Sequence, residues 1–287
     1  MKRTGLIVTA LLILCASPRL PAQSGAEPRE DRSRHREGFV TSERVRLHYL
    51  DWGGVGPNLV FLTGFGSTAH DFDKLADHFA SRFRVVAITR RGRSPSDEPA
   101  GGYDLAHLTA DVKAVMDGLS VDRVHLVGHS MAGTEMMQFA RLYPERVLSM
   151  VFIDAAVDPA AAWRVMMKDP QGPPTSPAGS VSEQLDRWWN THPSDFSAVR
   201  VPALALFAVQ NRHPYPPPGA STAMRARLDE YWRTEWNALV ERTAAKFQRE
   251  VPGGRVVMMN GPHYLYRENE ADVIREIDEF YRSVLPK

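Results

Sequence analysis

One stretch constrains this chain more than any other: Val124-His125-Leu126-Val127-Gly128-His129-Ser130-Met131-Ala132-Gly133. An apolar run of strand character meets small residues on both sides of a single serine, and a helical pattern starts at once. Strand, tight turn and helix with Ser130 at the apex is the geometry of a nucleophile elbow. The serine must then hold a strained backbone angle, at a cost of about 1–3 kcal/mol. Bulky side chains at Gly128, Ala132 or Gly133 would clash in so sharp a turn. The strain exposes the hydroxyl at the positive end of a helix. Of the G-x-S-x-G pattern the fifth position is Ala132, with glycine one residue later, so the match is near rather than full. Other segments have to support it.

They do so in order along the chain. Val45, Leu47 and Tyr49 alternate with Arg46, His48 and Leu50, which predicts a half-exposed antiparallel strand. Leu59-Val60-Phe61-Leu62 is a short continuous apolar run, as in a strand buried on both faces, and it ends in Thr63-Gly64-Phe65-Gly66-Ser67. A helix is predicted over 70–81, a strand over 84–88 and a second helix over 104–119 with Leu105, Leu108, Val112, Val115, Met116 and Leu119 on one face. After the elbow, strands are predicted over 147–153, 201–208 and 255–259. Buried strands alternating with amphipathic helices define the α/β class: a mostly parallel central sheet flanked by helices on both faces.

Two stretches break the alternation. Residues 159–199 hold Trp163, Met166, Met167, Trp188 and Trp189 around a Pro/Gly/Ser-rich middle. Residues 211–220 are proline-rich and lead into a helical pattern over 221–249. Both read as insertions forming a short helical lid, with Trp163, Met167 and Trp188 as candidate substrate-binding side chains. The competing reading is that these residues only pack the inserts onto the body.

The N-terminus reads as an export signal. Lys2 and Arg3 precede an apolar run, Leu6 to Ala16, that is too short to span a bilayer. Residues 1–22 are therefore expected to be a signal peptide, with small residues near Ala22, Ser24 and Ala26 for cleavage. Residues 23–37, polar and without period, form an expected flexible spacer, and 38–287 the folded domain. The product is expected outside the cytoplasm, secreted or periplasmic, without stable membrane insertion. An uncleaved anchor is the alternative, as is a lipoprotein on Cys15, although Leu14 stands where a small residue is usual. Cys15 is the single cysteine, so removal of the segment leaves neither disulfide nor thiol chemistry. The net charge of +1 rests on Lys2, Arg3 and Arg19, so the remainder favours neither nucleic acid nor an anionic surface.

Four anchors together resemble the α/β-hydrolase superfamily over residues 40–285. They are the elbow, Phe61-Leu62-Thr63-Gly64-Phe65-Gly66, Arg91-Gly92-Arg93-Ser94, and Asn260-Gly261-Pro262-His263 followed by Glu268-Asn269-Glu270-Ala271-Asp272-Val273. The resemblance implies Ser130 as nucleophile. A free hydroxyl is a poor nucleophile near neutral pH and needs a base. Of ten histidines, His263 lies on a turn after the last predicted strand, at the same sheet end as Ser130, and is the expected base. His129 reads as packing, and His213 and His70 as minor candidates. In many relatives the acid follows the strand that here ends near Ala208, yet Ala208-Val209-Gln210-Asn211-Arg212-His213 has no carboxylate. A subset places it one strand earlier, where this chain reads Phe152-Ile153-Asp154-Ala155-Ala156. Asp154 is thus the expected acid and Asp158 the second candidate, against the reading that Asp154 is a strand-end residue of structural use only. Backbone N–H groups of Phe65 and Met131 are the expected oxyanion donors. Thr63 and Thr89 stand where histidine and aspartate are common in the family.

The resemblance implies a serine hydrolase acting on a small or medium-sized carboxylic ester through an acyl-enzyme, with no cofactor and no metal. Serine at position 130 argues against the dehalogenase and epoxide-hydrolase branches, which would need aspartate there. Alternatives on the same three residues are a lactonase, a proline-releasing aminopeptidase or a cofactor-free perhydrolase. From another class comes a ligand receptor on a hydrolase scaffold with negligible turnover.

Overall fold

The computed structural model describes residues 34–285. The expected signal over 1–22, Cys15 within it, and the expected spacer up to residue 33 lie outside the described residues. The strands are β1 (Arg36–Ser42), β2 (Val45–Gly53), β3 (Asn58–Leu62), β4 (Arg84–Ile88), β5 (Val124–His129), β6 (Val147–Ile153), β7 (Ala203–Val209) and β8 (Arg255–Asn260). They make one eight-stranded sheet in the order β1-β2-β4-β3-β5-β6-β7-β8. β1 and β2 are antiparallel to each other, β2 is antiparallel to β4, and every other neighbouring pair is parallel.

The helices are α1 (Asp73–Phe79), α2 (Leu105–Gly118), α3 (Ala132–Leu142), α4 (Pro159–Met166), α5 (Val181–Trp189), α6 (Thr222–Tyr231), α7 (Asn237–Glu250), α8 (Leu265–Glu268) and α9 (Glu270–Val284). Because strand side chains alternate, the sheet has two apolar faces. Val60, Leu62 and Leu126 meet Val112, Met116, Met136, Phe139, Val240 and Phe247 on one face, which α2, α3 and α7 cover. Leu59, Phe61 and Val127 meet Leu75, Phe79, Val273, Ile277 and Phe280 on the other, under α1 and α9. Asp104 begins α2 by accepting the His107 N–H at 3.1 Å, the side-chain cap that the first turn of a helix calls for. No helix among the described residues is long and apolar enough to cross a membrane.

Two boundaries differ from the sequence-based expectation. β1 starts at Arg36, inside the expected spacer, with Arg36 opposite Asp51 and Glu37 opposite Leu50. An edge strand keeps charged side chains in solvent while its backbone completes the ladder, so charge there hides the strand. The second lid insertion is also shorter than 211–249. A π-type turn over Trp232–Trp236 joins α6 to α7 and re-phases the helix by adding a residue to the turn. Beyond it Val240, Ala244 and Phe247 are buried in the core, so α7 belongs to the sheet layer. Phe196 and Val199, at the end of the first insertion, are core residues as well.

His125 on β5 is wedged between Phe83 and Tyr281, with Nδ1 at 2.8 Å from Ser149 Oγ. Burial, helped by the charge of Arg123, pushes its pKa down to about 4. The folded protein therefore holds this ring neutral. Its contribution to stability is full above pH 6.5 and is lost as the pH falls toward 4, by about 3 kcal/mol in all. Urea denaturation at a series of pH values should show this loss, and His125→Gln should flatten the slope between pH 6.5 and 4. An unchanged slope would clear His125 of responsibility.

Candidate active site

Ser130 has φ 57°, in the left-handed region, as the elbow requires. Its N–H donates to Ile153 O at 3.3 Å and its carbonyl accepts the Gly133 N–H at 3.0 Å, so the turn is closed on both sides. The small residues around it are steric necessities. A Cβ on Gly128 would stand 2.3 Å from Met136 Sδ, and one on Gly133 only 1.7 Å from the Ala155 carbonyl oxygen. Ala132 is fully buried and its methyl lies 3.1 Å from where a Gly128 Cβ would be, so alanine fits this position.

Ser130, Asp154 and His263 follow β5, β6 and β8, and the parallel strands bring all three to one end of the sheet. His263 Nε2 lies 2.9 Å from Ser130 Oγ, and His263 Nδ1 lies 2.6 Å from Asp154 Oδ2. A carboxylate only accepts, so Nδ1 carries the ring proton and Nε2 presents a lone pair to the serine hydroxyl. Asp154 is itself locked. Its φ is 45°, its N–H donates to Leu206 O at 2.7 Å, and its Oδ1 accepts the Ala208 N–H at 3.0 Å.

The other candidates are engaged elsewhere. Asp158 caps α4, with Oδ1 accepting the Ala161 N–H and Oδ2 the Ser194 N–H, both at 2.8 Å. His70 Nδ1 faces Asp73 at 3.3 Å. His213 Nε2 is 2.8 Å from Asp169 Oδ2, deep in the insertions. His129 does more than pack: its Nε2–H donates to the His263 carbonyl at 3.0 Å, and the two rings lie 4.5 Å apart. Burial first, then the neighbouring His263, hold its pKa well below the ordinary value, so it supports the His263 backbone as a neutral ring.

The loop after β3 presses on the elbow. A Cβ on Gly64 would approach His129 Nδ1 to 2.6 Å and Ser130 Cβ to 3.1 Å, so only glycine lets the loop come so close. Among the described residues no backbone carbonyl takes the N–H of Phe65 or of Met131. Thr63, in place of the common histidine, turns its hydroxyl to Ile88 O at 3.2 Å. Its carbonyl accepts from Arg90, whose other arm pairs with Glu135. Burial raises the Glu135 pKa, Arg90 opposes the shift and Asp111 adds to it. Sequence reading missed this pair. The available signal was Glu135, a carboxylate on the face of α3 that also carries Ala132, Met136 and Phe139, where a buried charge demands a partner. Thr89 is a structural residue, with Oγ1 accepting the Ala69 N–H at 2.9 Å.

Of the three candidate substrate-binding side chains in the insertions, Trp188 is the most buried. Trp188 is 9 % exposed, packs with Leu108, Leu185 and Met131, and donates its indole N–H to Tyr103 O at 2.5 Å. It fastens α5 to the body next to Met131, the residue after Ser130. Met167 is 48 % exposed at the end of α4, and Trp163 is half-buried on the same helix. No group of three or more His, Cys, Asp or Glu side chains is placed to hold a metal among the described residues.

The sequence profile of the alpha/beta hydrolase fold matches residues 57–201. Similar proteins include epoxide hydrolase 1 of Caenorhabditis elegans, 34 % identical over 112 residues, which are 38 % of this chain and 28 % of that protein. The bifunctional esterase/perhydrolase DCH of Acinetobacter calcoaceticus is 32 % identical over 154 residues, 52 % of this chain and 54 % of that one. The chain thus spans about half or less of the length of these relatives. Among solved structures, the enol-lactonase from Burkholderia xenovorans LB400 superposes with a TM-score of 0.62 at 18 % identity, covering 85 % of this chain and 100 % of that one; at that identity the likeness speaks for the fold. A profile match that runs from before β3 through the elbow to beyond β6, on a sheet of this strand order, makes the chain a member of the α/β-hydrolase fold family.

Proposed function

We propose that the protein is a serine hydrolase that cleaves a carboxylic ester of small or medium size through an acyl-enzyme. One observation carries the reading: an unbroken line of contacts from Ser130 Oγ through the two nitrogens of His263 to Asp154, at 2.9 and 2.6 Å. In this reading His263 Nε2 takes the Ser130 proton as Oγ attacks the ester carbonyl. The imidazolium so formed is stabilised by Asp154, which also keeps the ring in the required tautomer. Negative charge then grows on the former carbonyl oxygen, and the N–H groups of Phe65 and Met131 are the donors left to receive it. His263 returns the proton to the leaving alcohol, and water repeats the sequence on the acyl-enzyme. Ester cleavage and lactone cleavage are named for the similar proteins above, which supports an acyl substrate. Serine rather than aspartate at position 130 supports acyl transfer over the alkyl-enzyme route of epoxide opening.

Four variants test the assignment. A fluorophosphonate should label the wild type and leave Ser130→Ala unlabelled; labelling that persists in the variant would remove Ser130 as nucleophile. Asp154→Asn should lower kcat by about 10⁴, the size of the equivalent loss in a protease triad, with far-UV circular dichroism unchanged. Asp158→Ala should instead cost about 1 kcal/mol of stability as a lost helix cap and leave turnover close to wild type, and the opposite pattern would transfer the acid role to Asp158. Gly64→Ala should push the loop off the elbow and reduce kcat by about 10²–10³, as for the loss of one oxyanion donor; full activity would show that Phe65 N–H is not used.

A further inference from the structure

Arg90 stands two residues beyond β4 and is buried. One of its terminal nitrogens donates to Glu135 and the other to the Thr63 carbonyl. Met131 is the N-cap residue of α3, and Glu135 lies one helical turn further on, so the two share a face. Thr63 follows β3 directly and precedes Gly64 and Phe65. Arg90 thus spans the gap between the helix that carries the Met131 N–H and the loop that carries the Phe65 N–H. Stability alone does not account for this arrangement. Among the described residues the Arg90 Nε–H has no partner, and a buried donor left unsatisfied costs free energy. A buried ion pair also gives little net stability over apolar side chains of the same volume, because both charges are stripped of water. Asp111, the other acid nearby, is taken by Arg91 at 2.6 and 2.5 Å, so Arg90 is the counter-charge of Glu135.

Packing does not hold the loop at this point either. A cavity of about 20 Å³ lies there, lined by Thr63, Arg90, Asp111 and Glu135 together with apolar side chains such as Leu62 and Val112. It has room for one water, and side chains that border a void lack contact partners on that side. Thr63 is therefore held there by hydrogen bonds, its hydroxyl donating to Ile88 O at 3.2 Å and its carbonyl accepting from Arg90. The chain then meets the elbow at once, where a Gly64 Cβ would come within 3.1 Å of Ser130 Cβ. The Phe65 N–H is one residue further on. An oxyanion receives two hydrogen bonds only if both donors stand about 2.7–3.1 Å from the same point. The spacing of helix and loop is then a catalytic dimension, and Arg90 is the side chain that bridges it.

We propose that Arg90 is a positioning residue: by tying Glu135 on the Met131 helix to the Thr63 carbonyl ahead of Phe65, it sets the separation of the two oxyanion donors. This rests on the serine-hydrolase reading. The test is Arg90→Met/Glu135→Leu, which removes both charges at similar volume and should fold and melt as the wild type does. Its kcat on p-nitrophenyl acetate should fall about 10²-fold, the size of an ångström-scale misplacement. KM should stay within about threefold, since a donor used only in the transition state leaves ground-state binding alone. Arg90→Lys, which keeps a charge beside Glu135 but not the two-armed fork, should fold and lose kcat in the same sense. A folded double variant with kcat within about threefold of wild type would overturn the proposal, and so would a loss carried by KM. If the double variant does not fold, Arg90→Lys decides by the same criterion; loss of the fold in both assigns the pair to stability and overturns the proposal. Fluorophosphonate labelling of the wild type separates the two readings: labelled protein with unchanged kcat in the variants removes Arg90 and leaves the hydrolase. If the wild type shows neither labelling nor turnover, the hydrolase reading fails. Amide exchange at Ser67, whose N–H donates to Gly64 O at 3.4 Å, then decides on the tether of the loop. Exchange about tenfold faster in the double variant supports the tether, and an equal rate overturns it.

Discussion

The close approach between the start of α3 and the exit of β6 governs this structure. Ser130 can hold its left-handed backbone only if the helix begins at once, and the helix can begin there only because Gly133 has no side chain to strike the Ala155 carbonyl. Ala155 is the neighbour of Asp154, itself at positive φ. The two strained residues are therefore held by one contact, reinforced by Ser130 N–H on Ile153 O and Asp154 N–H on Leu206 O. Strain of this kind persists where the surroundings over-determine it, and three adjacent parallel strands provide that here.

Around this point the charges are arranged so that none is buried alone. Asp154 has a backbone N–H on one oxygen and the His263 ring on the other. Glu135 and Arg90 neutralise each other beneath the β3 loop, and Arg90 uses its second arm to hold the Thr63 carbonyl. Fixing that carbonyl fixes the peptide that follows it, so the Gly64–Phe65 backbone rests against the elbow, and among the described residues no backbone carbonyl takes the Phe65 N–H. His129 does the equivalent service for His263 from below. Both supports are buried, so they hold the backbone in place without water between.

The insertions obey a different logic. Trp188 was readable as a large apolar residue near the site, but its fate was decided by Tyr103 O and the Leu108–Leu185 pocket, which no local pattern announces. The long helical period over 221–249 concealed a π-type turn, after which the buried face rotates and α7 joins the core. Similarly β1 hid behind Arg36 and Glu37, because an edge strand needs only its backbone to pair. Lids and edges owe their form to what they lie against, so periodicity alone says little about them.

The core and the proposed nucleophile were legible in the order of residues. Runs such as Leu59–Leu62 and Val124–Val127 must be buried on two faces, and glycine at 128 and 133 around Ser130 leaves one backbone solution. The missing carboxylate after Ala208 directed attention to Asp154 by resemblance to a family, not by any local pattern. What only the tertiary structure decided was partnership. His263 meets both Ser130 and Asp154 while Asp158 gives its oxygens to the Ala161 and Ser194 N–H groups; Arg90 finds Glu135; His213 meets Asp169. The Asp169–His213, Arg90–Glu135, Asp154–His263 and Ser130–His263 pairs are 44 to 133 residues apart, and hydrogen bonds of about 3 Å depend on where strands end in space. Chain order sets the strands, and the sheet sets the distances.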